Sequence, residues 1–196
     1  MIPALEALKR LQEGNRRFVA EGASREHGVT VDQAPFAIIL GCSDARVPAE
    51  IVFDQSLGDL FVIRVAGNIV APSQVGSVEF AASRFGTRLV VVLGHSQCGA
   101  IQATLEQLQQ PFESQSPNLQ SIVNRIRPSV SPLLQTELKH DLDRLKQHAI
   151  RANVAASVNH LRTGSAVLEQ LISDEGLVVV GAEYSLETGV VEFFDT

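Results

Sequence analysis

The sequence predicts an α/β fold: a largely parallel sheet with helices on both faces, ending in a terminal pair of strands. Short apolar runs alternate with helical patterns along the chain, which is the order that builds a parallel sheet covered by helices. One apolar run, 88–93, has no polar residue after its first position, as expected for a strand buried on both faces. At 196 residues, we predict a single domain over 1–196 with an N-terminal helical arm, 3–22.

Helices and strands alternate through the first half of the chain. The spacing of Leu5, Leu8 and Leu11 predicts an amphipathic helix over 4–20 that ends near Gly22. The polar segment 23–34 then predicts a loop. The other elements predicted in this half are strand 36–40, a short helix 49–53 beginning at Pro48, strand 60–65 and helix 73–85.

The second half contains the remaining strands and the longest helical stretch. The apolar run 88–93 predicts the third strand, and helix 98–109 follows it closely. Prolines between 111 and 132 predict an irregular or short-helical connection. The last predicted elements are helix 136–161, helix 165–173, strand 177–180 and, beyond a turn at Gly189, strand 190–194.

Composition excludes several classes of protein. A formal net charge of -6 argues against a nucleic-acid partner, since phosphate contacts need clustered lysine and arginine. No apolar run approaches the roughly 20 residues that span a bilayer, and the charged residues among 1–10 do not suit a secretory signal. We therefore expect a cytoplasmic protein with no membrane partner.

The two cysteines lie in loops that follow predicted strands. Cys42 comes directly after the run 36–40, and Cys98 follows the third strand in Gly94-His95-Ser96-Gln97-Cys98-Gly99. Ligand-binding loops of open α/β sheets lie at the carboxyl ends of strands. Two thiolates and the His95 imidazole would fill three positions of a tetrahedral zinc site and leave the fourth for water or substrate. We predict one catalytic zinc ion per chain.

Each of these residues has a plainer interpretation when taken alone. A single cysteine is more often a small buried apolar residue than a metal ligand, and a single histidine after a strand is more often a satisfied polar group. A non-catalytic protein in which zinc only joins the two loops, or a disulfide between Cys42 and Cys98, would use the same residues. Their joint position at two strand ends favours the open metal site.

Asp44 and Arg46 lie at alternate positions beside the first cysteine. They can face the same side and form a charge-assisted, often bidentate pair. A plain surface ion pair would contribute little. In the functional interpretation, which we favour, Asp44 orients hydroxide at the metal or, when Arg46 releases it, takes the fourth metal position itself.

These motifs resemble those of the β-class carbonic anhydrases. The matching stretches cover nearly the whole chain: Cys42-Ser43-Asp44-Ala45-Arg46-Val47-Pro48, Gly94-His95-Ser96-Gln97-Cys98-Gly99-Ala100, residues 59–64 with Ala66-Gly67-Asn68, Gly181-Ala182-Glu183-Tyr184 and residues 11–18. The resemblance implies zinc bound by Cys42, His95 and Cys98, with Asp44 and Arg46 as a dyad beside it. It also implies a fold with a central, mostly parallel four-stranded sheet and an extra edge strand, flanked by helices. The implied minimum unit is a homodimer, and the implied activity is reversible hydration of carbon dioxide to bicarbonate and a proton by zinc-bound hydroxide.

Two positions bear on the subtype that the resemblance implies. Plant-like members place a glutamine nine residues before the first cysteine, where it serves a neighbouring subunit's site; Gln33 occupies that position. Bicarbonate-inhibited members carry a tryptophan three residues before that cysteine, but this chain has Ile39 there and no tryptophan. The plant-like subtype is therefore favoured. Gln33 and the backbone N–H of Gly99 are our candidates to hold substrate oxygens.

One alternative activity uses the same scaffold. Relatives of the β-class hydrolyse carbonyl sulfide or carbon disulfide, and their metal ligands can be identical. The motifs do not separate these substrates, so direct assays must.

Overall fold

The apolar runs of the sequence form the strands of one sheet. The computed structural model describes residues 2, 4–22, 32–109 and 116–194, so most of the predicted loop 23–34 lies outside the described residues, as does Pro111. The strands are β1 Ala37–Gly41, β2 Leu60–Arg64, β3 Leu89–His95, β4 Val178–Tyr184 and β5 Val191–Phe194. The helices are α1 Ala4–Gly22, α2 Ala49–Val52, α3 Pro72–Arg84, α4 Gly99–Gln109, α5 Pro117–Val130, α6 Leu142–Thr163 and α7 Ala166–Glu175.

The strand order in the sheet is β2-β1-β3-β4-β5. β1 pairs in parallel with β2 and β3, and β3 pairs in parallel with β4. β5 is the exception, since it runs antiparallel to β4 at the edge. The predicted fold class is therefore confirmed. Because Gly41 on β1 is in register with Leu93 on β3, the residues that follow them leave the sheet side by side.

The two faces of the sheet are covered differently. Side chains of a strand alternate between faces, and Ile38 and Val92 point to the face that packs against α3, α6 and α7. Ile39 and Val91 point to the other face, where α2 and the segment before it provide much of the cover. All four side chains are at most 2% exposed.

A third apolar cluster lies past the carboxyl ends of β1 and β3. It joins Cys42 and Cys98 to side chains of three helices, namely Ile101 and Leu105 of α4, Ile126 and Val130 of α5, and Leu145, Ala149 and Ile150 of α6. The two cysteines are therefore enclosed in packed apolar surroundings at the strand ends. No helix in the described ranges is long and apolar enough to cross a bilayer.

Several element boundaries differ from the predicted ones. The segment predicted as irregular or short-helical contains the 14-residue α5, because Pro117 stands in the first turn, where a missing N–H has no cost. The helix predicted over 136–161 begins only at Leu142, where the Asp141 side chain accepts a hydrogen bond from Arg144 N. Short 3₁₀ turns at Ala66–Asn68, Ser131–Gln135 and Glu137–His140 complete the described elements.

Candidate metal centre

Cys42, His95 and Cys98 come together at the carboxyl ends of β1 and β3. Their potential ligand atoms all lie within 4.8 Å of one another, and all three residues are buried. Cys42 is the first residue after β1, His95 is the last residue of β3, and Cys98 directly precedes α4. The parallel pairing of the two strands therefore brings together residues that are more than fifty positions apart in the sequence.

The ring of His95 is oriented toward the two sulfurs by a local hydrogen bond. Nδ1 lies 2.8 Å from the carbonyl oxygen of Ser96, to which the Nδ1–H donates. Nε2 then carries the lone pair, and it is buried without a hydrogen-bond partner in the described part of the chain. A histidine that ligates a metal through one nitrogen almost always donates from the other to a carbonyl or carboxylate.

The two sulfurs interact strongly with each other. A hydrogen bond from Cys98 lowers the pKa of Cys42 well below its usual range, and the Gly67 N–H at 3.4 Å acts in the same direction. The Cys42 thiolate and burial in turn raise the pKa of Cys98, although the N–H groups at the start of α4 oppose this. Both cysteines are free thiols, which does not support the disulfide alternative.

This donor set fits a zinc ion. Zinc takes thiolate sulfur and imidazole nitrogen in tetrahedral geometry, with metal–ligand distances of about 2.0–2.3 Å. Two buried sulfurs competing for one proton and a buried nitrogen without a partner are groups that a divalent cation would satisfy together. Three protein ligands leave a fourth position open, as in catalytic zinc sites.

The loop after Cys42 is held by two long-range contacts. Arg64, at the end of β2, donates from Nε to the Cys42 carbonyl at 3.0 Å and from Nη2 to the Asp44 carbonyl at 2.5 Å. Gly67 has a positive φ of 71°, and a Cβ there would lie 2.9 Å from Ile126 Cδ1. Glycine is therefore required at 67 for its N–H to reach the Cys42 sulfur.

Asp44 and Arg46 form a bidentate pair within the same loop. Arg46 Nε lies 2.9 Å from Asp44 Oδ1, and Nη2 lies 2.8 Å from Oδ2. The backbone N–H of Arg46 also donates to Oδ1 at 3.0 Å. These hydrogen bonds, the side-chain ones foremost, hold the pKa of Asp44 well below its usual range. Asp44 is therefore a fixed, ionised acceptor beside the three candidate ligands.

The two candidate substrate contacts lie in different places. Gly99 is the first residue of α4, where N–H groups lack partners within the helix, and a Cβ added there would have no described atom of another segment within 4 Å. Gln33 is exposed and lies beside Gly58, ahead of the first residues of β1 and β2. A five-residue strand spans about 13 Å, so Gln33 and Cys42 lie at opposite ends of β1. The structure does not bring Gln33 into the site of its own chain.

Sequence reasoning missed the residues that support the loops. Arg64 appears in the sequence only as the last residue of the matching stretch 59–64, yet its side chain supports the Cys42 loop. Asn153 of α6 is 2% exposed and donates to the Gly67 carbonyl at 2.8 Å. Glu187 accepts hydrogen bonds from the loop between His95 and Cys98. A polar residue in the apolar stripe of α6 was the one available signal, and it concerned Asn153.

The family model and two similar curated relatives all point to the same family. The family model described as carbonic anhydrase matches residues 37–191, which is well over half of the chain. The carbonic anhydrase of Mycolicibacterium smegmatis is 39% identical over 193 residues, covering 95% of this chain and 91% of that protein. Carbonic anhydrase 2 of Mycobacterium tuberculosis is 36% identical over 192 residues, covering 93% of this chain and 89% of that protein.

Solved structures share the fold. A tetrameric β-carbonic anhydrase from Sordaria macrospora superposes with a TM-score of 0.84 at 22% identity, covering 97% of this chain and 98% of that one. The β-carbonic anhydrase CafA of Aspergillus fumigatus gives a TM-score of 0.78 at 25% identity, covering 97% of this chain and 89% of that one. The chain belongs to the β-class carbonic anhydrases and is an enzyme of the lyase class.

Proposed function

We propose that this protein catalyses the zinc-dependent, reversible hydration of carbon dioxide to bicarbonate and a proton. The observation that carries the proposal is the buried cluster of Cys42, His95 and Cys98, whose ligand atoms lie within 4.8 Å of one another. A zinc ion held there would supply Lewis acidity, which makes water a nucleophile near neutral pH. The two thiolates nearly cancel the charge of a divalent cation, so activity should rise on the alkaline side of neutrality.

Asp44 is proposed to aim the attacking oxygen. Its carboxylate accepts a hydrogen bond from the attacking water or hydroxide, so that a lone pair of that oxygen faces the carbon of carbon dioxide. Arg46 occupies both carboxylate oxygens from one side and keeps Asp44 ionised, which leaves acceptor capacity on the other side. Asp44 is two residues from Cys42, in the loop that follows β1.

Gly99 is proposed to bind a substrate oxygen through its backbone N–H. Its position at the start of α4 adds the positive end of the helix dipole, which favours the negative charge that develops on bicarbonate. Gly99 is exposed, which supports an open approach to this helix start.

Gln33 is proposed to serve the site of a second copy of the chain. It is exposed and lies at the far end of β1 from Cys42, so a role at the metal requires another subunit. In α1, Leu8, Leu11 and Val19 are 51%, 73% and 66% exposed, which supports a homo-oligomer because such a face needs cover. The minimum unit we propose is a dimer of single-domain chains with α1 as the arm.

The decisive experiment is stopped-flow hydration of carbon dioxide from about pH 6.5 to 9, with zinc measured on the same sample. We expect about one zinc per chain and a rate that climbs with pH. Cys42→Ser should lose both zinc and turnover. A protein that contains zinc but does not hydrate carbon dioxide would favour hydrolysis of carbonyl sulfide or carbon disulfide instead. A protein with neither zinc nor free thiols would refute the proposed zinc site.

A mixing experiment tests the role of Gln33. Chains carrying Gln33→Ala and chains carrying Cys42→Ser should each be nearly inactive, whereas their mixed dimer holds one intact site. The matched control replaces the second partner by a chain with both substitutions, which supplies no Gln33. Activity restored only in the first mixture supports a contribution across the interface; equal activity in the two mixtures contradicts it.

Cytoplasmic location and the plant-like subtype remain predictions.

A further inference from the structure

The turn between β4 and β5 holds the segment that separates His95 from Cys98. That segment is only Ser96 and Gln97, so its conformation sets how the imidazole and the second thiol face each other. Gln97 has a positive φ of 58°, a backbone conformation that residues other than glycine rarely adopt. Such a conformation persists where surrounding contacts impose it.

Glu187 provides two of those contacts. Its Oε1 accepts from Gln97 Nε2 at 2.6 Å, and its Oε2 accepts from Ser96 Oγ at 2.8 Å. Ser185 Oγ also donates to Oε2 at 3.1 Å, which fixes the carboxylate on its own turn. One carboxylate therefore accepts a hydrogen bond from each residue of the segment, with a different oxygen for each.

Ser96 is held on three sides. Its N–H donates to the Tyr184 carbonyl at 2.9 Å, and its Oγ accepts from Leu186 N at 2.9 Å while donating to Glu187. Its own carbonyl accepts from His95 Nδ1. A fixed Ser96 therefore fixes the ring of His95, with Nε2 directed at the sulfurs.

We propose that Glu187 is a positioning residue for the metal centre, acting through Ser96 and Gln97 on His95 and Cys98. The inference rests on the proposed zinc site. It adds Glu187, which lies 91 residues from Ser96 in the sequence, as a residue that holds the ligand-bearing loop in place. Hydrogen bonds from Ser96, Gln97 and Ser185 lower the pKa of Glu187 to about 2, so the carboxylate is ionised wherever the enzyme works. Its role is to hold the loop.

The test compares Glu187→Ala and Glu187→Gln with the control Glu192→Gln. Glu187 and Glu192 line one surface cavity, but Glu192 pairs with Arg151, so its substitution removes a charge from that cavity without changing a contact to Ser96 or Gln97. The measurement is the zinc dissociation constant of each purified protein, by competition with a chromophoric chelator. Because Glu187 is exposed, we expect the lower end of the usual range, about a tenfold weakening for Glu187→Ala. Glu187→Gln retains one acceptor oxygen and should weaken binding about threefold; Glu192→Gln should change it less than about twofold.

Two further measurements separate positioning from charge and from general stability. The ligand-field spectrum of the cobalt(II)-substituted protein should change in Glu187→Ala and not in Glu192→Gln. Ser96→Ala added to Glu187→Ala should weaken zinc binding by less than the product of the two single effects. The weakening by Glu187→Ala should persist at about 1 M salt, where distant charges are screened.

Several outcomes would overturn the inference. Zinc affinity and cobalt spectrum unchanged in Glu187→Ala would do so while leaving the proposed zinc site intact. Equal weakening by Glu187→Ala and Glu187→Gln that disappears at high salt would show a charge effect alone. A wild-type protein that binds neither zinc nor cobalt would overturn this inference together with the proposed function.

Discussion

Gly94 lies directly before His95, at a point where α6 packs closely on β3. A Cβ added to Gly94 would lie 2.6 Å from Val154 Cγ2 and 3.2 Å from Ile150 Cγ2. The first distance is 0.8 Å below the 3.4 Å at which ordinary contact begins. Gly94→Ala should therefore force α6 away from the sheet beside the metal centre.

The size of the effect follows from the packing around Val154. This side chain is 0% exposed, so it has little space into which it can rotate. A Cβ on Gly181 of the neighbouring strand would also lie 2.9 Å from Val154 Cγ1, so the two glycines together form the groove that Val154 fills. Overpacking of this kind costs about 1–3 kcal/mol, which corresponds to a fall in Tm of roughly 2–12 °C for a chain of this length.

The assay is thermal unfolding of Gly94→Ala, Val154→Ala and the double variant at one fixed protein concentration, since an oligomer's Tm depends on concentration. Val154→Ala alone should destabilise by roughly 1–3 kcal/mol through the cavity that it leaves. In the double variant the new methyl group occupies part of that cavity. Its loss of stability should therefore be smaller than the sum of the single losses, by about 1 kcal/mol or more.

Gly76→Ala is the matched control for this substitution. Gly76 lies inside α3, and no described atom of another segment lies within 4 Å of the added Cβ, so alanine should stabilise the helix by about 0.5–1 kcal/mol. Unchanged Tm in Gly94→Ala would contradict the close contact. Additive losses for Gly94→Ala and Val154→Ala would show that the two positions do not compete for the same space.

Three further predictions concern the loops of the site. Arg46→Ala removes both side-chain hydrogen bonds to Asp44 and should slow hydration by about 10–100-fold with zinc content unchanged, whereas loss of zinc would contradict the assigned role. Asn153→Ala leaves the Gly67 carbonyl unpaired in the core and should cost about 1–3 kcal/mol in thermal or urea unfolding; a neutral result would contradict it. The lowered pKa of Glu187 means that its carboxylate contributes stability above its ordinary pKa of 4.5. This contribution is lost as pH falls toward about 2, so the Tm difference between wild type and Glu187→Gln should shrink as the pH falls from about 4.5 toward 2, and a constant difference would refute it.

The sheet could be predicted from the sequence because a strand buried on both faces is a short run of consecutive apolar residues. Runs such as 36–40 and 89–93 are apolar at every position, and they became β1 and β3 with fully buried centres. The predicted parallel direction places Cys42 and His95 at the same edge of the sheet, since all strands of a parallel sheet end there. Their contact also needs β1 to lie next to β3, and this strand order is seen only in the folded sheet.

The supports of the site could not be predicted in this way. Arg64 reaches Cys42 across 22 residues, Asn153 reaches Gly67 across 86, and Glu187 reaches Ser96 across 91. Asn153 stands out locally as a polar residue in the apolar stripe of α6, but nothing nearby in the sequence names its partner. Arg64 and Glu187 have ordinary local sequences, and their partners are a backbone carbonyl and a hydroxyl group that any residue pattern could supply. Such contacts depend on the final packing of helices and turns, so they become visible only in the folded chain.

Gln33 shows a different limit of sequence reasoning. It stands nine positions before Cys42, a separation that in a loop or helix could put both side chains in one site. A strand intervenes, however, and carries the chain about 13 Å from one end of the sheet to the other. Strand β1 places Cys42 at the carboxyl edge of the sheet and Gln33 beyond the opposite edge. A catalytic role for Gln33 therefore requires a second subunit. Activity and oligomeric state should therefore be lost together when the interface is disrupted, even though every candidate zinc ligand lies within one chain.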